Sequence, residues 1–146
     1  MYNYSGIWYY IVTISVPIFI LGFVLLLIGI KHEAAEKKRK TNMILGIIII
    51  AIALGYSIFY GVKLIDPQVE CIEGCLVREY HDTSVMQAPF VTAYVFEGDG
   101  YELKKTYIMD PFSAKEIYPG GLTIENSYRI FYVKGTNIIV KIEDLK

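Results

Sequence analysis

Histidine and cysteine are scarce in this chain of 146 residues: two of each, His32, His81, Cys71 and Cys75. A structural zinc site usually pairs a C-x2-4-C step with a second pair of ligands. Cys71, Cys75, His81 and Asp82 lie close together, but no second pair follows. Cys71, Cys75 and His81 are therefore weak metal candidates, and no cofactor is expected. Nucleophilic catalysis meets the same shortage, because His81 would have to fold back along the chain to reach a thiol. No G-x-S-x-G, P-loop, H-E-x-x-H or dinucleotide fingerprint occurs. The chain is not expected to be an enzyme; a metal- or cysteine-dependent envelope enzyme is the rival reading.

Charge is the second absence. Ile7 to Ile30 and Met43 to Val62 contain no Asp, Glu, Lys, Arg or His. A helix rises about 1.5 Å per residue and the hydrocarbon core is about 30 Å thick, so about 20 apolar residues span it. Both runs are long enough, and too little chain remains to bury two such helices in a soluble core. Ionisable groups inside a membrane mark proton relays, ion paths and voltage sensors. Their absence works against a small transport or pore subunit, the other rival. Residues before the first run include no Lys or Arg, and no A-x-A step follows it. A cleaved signal peptide needs both, so the first segment is expected to stay in the protein.

What is present is a basic cluster between the runs: Lys31, Lys37, Lys38, Arg39 and Lys40. Lys and Arg near span ends are retained on the cytoplasmic side, and their side chains reach lipid phosphates. Tyr2, Tyr4, Trp8, Tyr9 and Tyr10 mark the other end of the first run, and Tyr56, Phe59 and Tyr60 that of the second. Such aromatics favour the membrane interface. The expected layout is a multi-pass protein of the cell membrane with both termini outside: an outward tail (1–6), a first span (7–30), a basic cytoplasmic loop (31–42), a second span (43–63) and an extracytoplasmic domain (64–146).

Helices approach closely in lipid where small residues meet. Ser15, Gly22 and Gly29 form one stripe at heptad spacing, and Gly46 and Ala53 another. Antiparallel pairing predicts Gly29 opposite Gly46 and Gly22 opposite Ala53. Pro17 can kink the first helix without loss, since neighbours and water satisfy the freed carbonyl.

After Asp66-Pro67, which ends the second helix, the pattern turns to short alternating runs. A strand is predicted over Val69 to Tyr80. In "SYRIFYVKGTNIIVKIE", Gly135-Thr136 suits a two-residue turn, with Val133 opposite Ile138 and Phe131 opposite Val140. That register predicts an apolar face of Phe131, Val133, Ile138, Val140 and Ile142, and a mixed face carrying Tyr128, Ile130, Tyr132, Ile139 and Lys141. In "FVTAYVFEGDGYELKKTYIM", a turn at Gly98-Asp99 sets Phe96 opposite Tyr101 and Tyr94 opposite Leu103, gathering the aromatics on one face. "PFSAKEIY" reads as a short helical turn capped by Ser113 with Glu116 three residues on. The fold class is thus a membrane α-hairpin plus a small, mostly antiparallel all-β domain of about five strands, barrel-like or sandwich.

Beyond Lys63 there are thirteen acidic and eight basic residues. Nucleic acid and anionic headgroups repel such a domain, so it is expected to stand off the membrane and bind no nucleic acid. On a continuous strand Cys71 and Cys75 share a face about 13 Å apart at about 3.3 Å per residue, too far for a disulfide. A turn at Glu73-Gly74 would bring them together.

The outline, two spans followed by a β-domain ending in "NSYRIFYVKGTNIIVKIE", resembles small uncharacterised bacterial two-span membrane proteins with an extracytoplasmic barrel-like domain. The resemblance covers architecture and implies no activity or site residue. The expected function is non-enzymatic: displaying the β-domain for binding or assembly with another envelope protein, or with itself, in contact with the lipid bilayer.

Overall fold

The computed structural model describes residues 1–31, 36–80, 91–98 and 105–145. It divides into two compact units, Tyr10–Val62 and Met1–Tyr9 together with Lys63–Lys146.

The helical unit begins within a run of α1 (Ser5–Tyr10), a π-helical turn (Ile11–Ser15) and α2 (Val16–Lys31); α3 (Glu36–Ile65) follows. Ser5–Ile30 and Glu36–Ile65 are each long and apolar enough to cross a membrane. The π turn lies just before Pro17. A proline ring collides with the carbonyl four residues back, and a widened turn relieves that contact. Ser15 lines a notch of about 150 Å³ with Ile11, Phe19, Ala53, Leu54 and Ser57. Its buried hydroxyl meets no hydrogen-bond partner among the described residues.

The basic loop is shorter than the sequence predicts. Lys37, Lys38, Arg39 and Lys40 are exposed and already helical, in the first turns of α3, where Lys40 pairs with Glu36 at 2.7 Å. The shorter connection moves the helix pairing by one heptad. A β-carbon on Gly22 would meet Gly46 O at 3.0 Å and Ile50 at 2.9 Å, and one on Gly29 would meet Met43 at 2.6 Å. Gly22 therefore faces Gly46 rather than Ala53, and Gly29 faces Met43 rather than Gly46. Ala53 instead shares the notch with Ser15. At the other end of the unit the rings of Tyr10 and Tyr60 stack at 5.9 Å.

The second unit holds β1 (Val69–Tyr80), β2 (Thr92–Glu97), β3 (Lys105–Met109), α4 (Pro111–Ile117), β4 (Ser127–Val133) and β5 (Ile139–Asp144). The sheet order is β3-β2-β1-β4-β5, with antiparallel neighbours throughout. Three consecutive strands with the fourth returning beside the first make a Greek key. The two outer strands then meet. Ile108 and Ile138 form a parallel bridge, and Ile108 N donates to Asn137 O at 2.8 Å. The result is a five-stranded, partly open barrel, the architecture of the OB-fold; architecture alone assigns no ligand.

Asp110, not Ser113, caps α4: its carboxylate accepts from Phe112 N at 2.9 Å, from Ser113 N at 3.0 Å and from the Ser113 hydroxyl. Pro111 occupies the first turn, where its missing N–H costs nothing. Ala114, Ile117 and Tyr118 pack onto the barrel core of Leu76, Tyr94, Phe96, Tyr107, Met109, Tyr128, Ile130, Tyr132, Ile139 and Ile142.

Two registers differ from expectation. Tyr94 pairs with Tyr107 and Phe96 with Lys105 rather than with Leu103 and Tyr101; Asp99, Tyr101 and Leu103 of the predicted turn register lie outside the described residues. The slip is an even number of residues along the strand, and Tyr94, Phe96 and Tyr107 still share the core face. In the last hairpin the turn closes one residue early. Thr136 N donates to Val133 O at 3.0 Å, placing Gly135, at φ 74°, third in the turn. A positive φ there suits glycine. Val133 does oppose Ile138, its N donating to Ile138 O at 3.1 Å. A bulge then sets Tyr132 opposite Ile139 but Phe131 opposite Lys141. One extra residue reverses the alternation. Tyr128, Ile130, Tyr132, Ile139 and Ile142 line the barrel core; Val133, Ile138 and Val140 of the predicted apolar face are buried too, while Phe131 lies on the outward face and is half-buried.

Candidate functional site

The outward face of β1, β4 and β5 carries a set of interacting charged and aromatic groups. Register puts them in two rows across the sheet. Glu73, Arg129 and Glu143 form one; Cys71, Phe131 and Lys141 form the next. Both rows exist because alternate residues of a strand share a face and because the β5 bulge brings Lys141 and Glu143 to it.

Within the first row Arg129 donates from Nε at 2.8 Å and from Nη2 at 2.6 Å to the same Glu73 oxygen, and lies 3.9 Å from Glu143. Lys141 donates to Glu143 and stands 5.2 Å from the Phe131 ring centre and 6.0 Å from that of Tyr2. Tyr2 itself rests on Phe131 at 5.7 Å. The charges alternate along the pattern. Hydrogen bonding to Glu73 raises Arg129 further, hydrogen bonding to Glu143 raises Lys141, and Lys141 in turn holds Glu143 below the usual carboxylate range.

The N-terminal segment reaches this domain as a strap. Asn3 N donates to Val140 O at 2.9 Å, and Asn3 Nδ2 to Glu116 of α4 at 2.7 Å. Asn3 Oδ1 accepts from Ser5 N at 2.8 Å, starting α1. The predicted outward tail is therefore part of the β unit.

Beside the two rows lies an open depression of about 390 Å³, lined by Cys71, Glu73, Gly74, Cys75, Glu97 and Ser127. It exists because β2 pairs with β1 only from Cys75 onward, leaving the first half of β1 with a single neighbour. Gly74 is needed at its edge: a β-carbon would come 3.0 Å from Glu97 O.

Both cysteines are free, and β1 runs unbroken through Glu73 and Gly74, so no turn brings them together. Cys71 is a poor nucleophile as placed. Burial raises its thiol above the ordinary value, against the lowering effect of Arg129. His81 lies outside the described residues. Among the described residues no three His, Cys, Asp or Glu side chains converge to hold a metal. The chain matches no family model, no curated protein and no solved structure.

What this face offers chemically is a pattern of alternating charges on neighbouring strands; its exposed ion pairs contribute about 0–1 kcal/mol each to stability. The sequence reading singled out Cys71 and Cys75 on this face but not Glu73, Arg129, Phe131, Lys141 or Glu143. The alternating acids and bases were visible; their convergence depends on the β1–β4 register and the bulge, and neither leaves a local signal.

Proposed function

We propose that this is a non-enzymatic integral membrane protein whose helical hairpin anchors a small β-domain that binds or assembles with another envelope protein. One observation carries the membrane part. Phe19, Ile20, Leu21, Phe23, Ile47, Ile48, Ile52 and Ile58 are each between 42% and 65% exposed along α2 and α3. Side chains of this kind in long contiguous belts need an apolar surround, whereas helices of a soluble core are mostly buried. Lipid supplies that surround.

The basic residues at the start of α3 support a cytoplasmic connection with both termini outside. Tyr10 stacked on Tyr60 at the opposite end of the hairpin agrees with an aromatic outer boundary. The charge-compensated face around Arg129 supports a protein partner, and the acidic surplus of the domain disfavours nucleic acid.

The test is capture of the full chain from membranes in mild detergent, with a photo-crosslinker at Ser127 on the outward face. A discrete crosslinked envelope protein, lost with Arg129→Glu, is the expected result. Recovery of the chain alone, with and without crosslinking, would sink the binding part of the reading.

A further inference from the structure

Phe112, at the start of α4, is 73% exposed, and on a soluble domain a single exposed aromatic would call for no explanation. Its surroundings do. The ring lies 5.9 Å from Tyr9, which belongs to the outer turns of the first candidate span, and the preceding residue, Trp8, is itself 60% exposed. The strap holds this arrangement in place. Asn3 bonds to Val140 and Glu116, and Gly6 approaches so closely that a β-carbon there would meet Ile138 at 3.0 Å and Asp110 at 3.1 Å. The N-terminal turn of α4 is thus pinned against the segment that enters the first span.

A β-carbon on Gly135 would lie 3.2 Å from Lys63 Nζ, so within the β unit the β4–β5 turn sits beside Lys63, where that unit resumes after the second apolar run. Along α4, Lys115 follows Phe112 by one turn and is exposed. Residues three apart share a helix face, and an aromatic beside a lysine is suited to the boundary between acyl chains and phosphates.

From this contiguity we infer that the first turn of α4 is a membrane foot: Phe112 enters the headgroup region of a bilayer beside Trp8 and Tyr9, with Lys115 reaching its phosphates. The inference rests on the membrane-spanning reading above and adds to it. The acidic surplus of the β-domain does not oppose this contact, because the part that touches lipid is aromatic and basic. The occupant is lipid rather than a protein because Tyr9 and Trp8 carry the patch directly into the segment that lipid must surround.

The experiment uses the full chain with Trp8→Phe, reconstituted in phosphatidylcholine vesicles, and a single indole introduced by Phe112→Trp, Phe19→Trp or Tyr80→Trp. Phe19 lies in α2, and Tyr80 is at the far end of β1 and 39% exposed. Quenching by lipids spin-labelled near the headgroup and by aqueous iodide is measured for each. The indole at position 112 is expected to be quenched by the shallow lipid label and severalfold less by iodide than the one at position 80. If position 112 follows position 80 while position 19 is quenched by deep-labelled lipid, the spans stand and the foot is wrong. If position 19 also escapes every lipid label, the spanning reading fails and the foot fails with it.

Discussion

A β-carbon on Gly46 would stand 2.8 Å from the carbonyl oxygen of Gly22, and one on Gly22 would stand 3.0 Å from that of Gly46. The two helices touch backbone to backbone at this point. Replacing Gly22 with Ile forces the helices apart, and overpacking of this kind costs about 1–3 kcal/mol. With Cys71 and Cys75 changed to Ser, cysteines placed at Ser15 and Ala53 should crosslink readily in the parent and poorly with Gly22→Ile. Gly55, where an added β-carbon would meet no other helix or side chain within 4 Å, is the control. Gly55→Ala should leave crosslinking intact and stabilise the helix by up to about 1 kcal/mol.

Asp110 is 1% exposed and caps α4 through two backbone amides and one hydroxyl. Asp110→Ala strands those donors in a buried place. Losing a cap costs about 0.5–2 kcal/mol, and the buried setting puts this one at the upper end. A lowered thermal midpoint of the full chain in detergent checks it, with Asp110→Asn falling between the parent and alanine. A midpoint unchanged by alanine would mean the cap is idle.

The Tyr118 hydroxyl donates to Asp144 at 2.5 Å, and that bond pushes its pKa up from 10.0 to about 12. A phenol whose folded pKa is raised favours the native state fully below pH 10, and loses that contribution as pH rises toward 12. Tyrosinate absorbance should therefore show one fewer late-titrating group in Tyr118→Phe. The parent's stability should fall more steeply than the variant's over the same interval. Equal slopes would remove the Tyr118–Asp144 bond from the account of β5.

Cys71 is exposed enough to be labelled, yet its thiol is raised by burial and lowered by Arg129. A membrane-impermeant maleimide should react with intact cells without reductant, slowly at neutral pH and faster as pH rises. Arg129→Gln removes the lowering influence, so labelling at a given pH should slow further. Labelling only after lysis would invert the proposed topology and move the search for a partner to the cytoplasm.

The helical part of this fold was legible because a bilayer imposes a length. An uncharged run such as Ile7 to Ile30 has one economical explanation, and the small-residue stripes follow from it. Register was harder to read. Lys37 to Lys40 signal a side of the membrane but say nothing about whether the chain there is coiled, and a helix that begins at Glu36 shifts the Gly22 contact by a heptad. β1 was read to its observed ends, since Pro67 and a long alternating run bound it. Val133, Ile138, Val140 and Ile142 are buried as their alternation predicts, but Tyr128, Ile130, Tyr132 and Ile139 line the core as well, because a bulge adds one residue and period-two alternation has no memory across it. Ser113 was favoured as the cap through its spacing to Glu116, whereas Asp110 before Pro111 was the stronger local signal. The outward rows around Arg129 inherit both difficulties.

The strap from Asn3 to Val140 also orders events in time. Asn3 precedes both apolar helices and Val140 follows them, so this contact forms only after both helices have been synthesised. Contacts so distant along the chain form slowly. Until then Val140 O in β5 waits without Asn3, and any copy in which β5 is missing leaves Asn3 undocked as well.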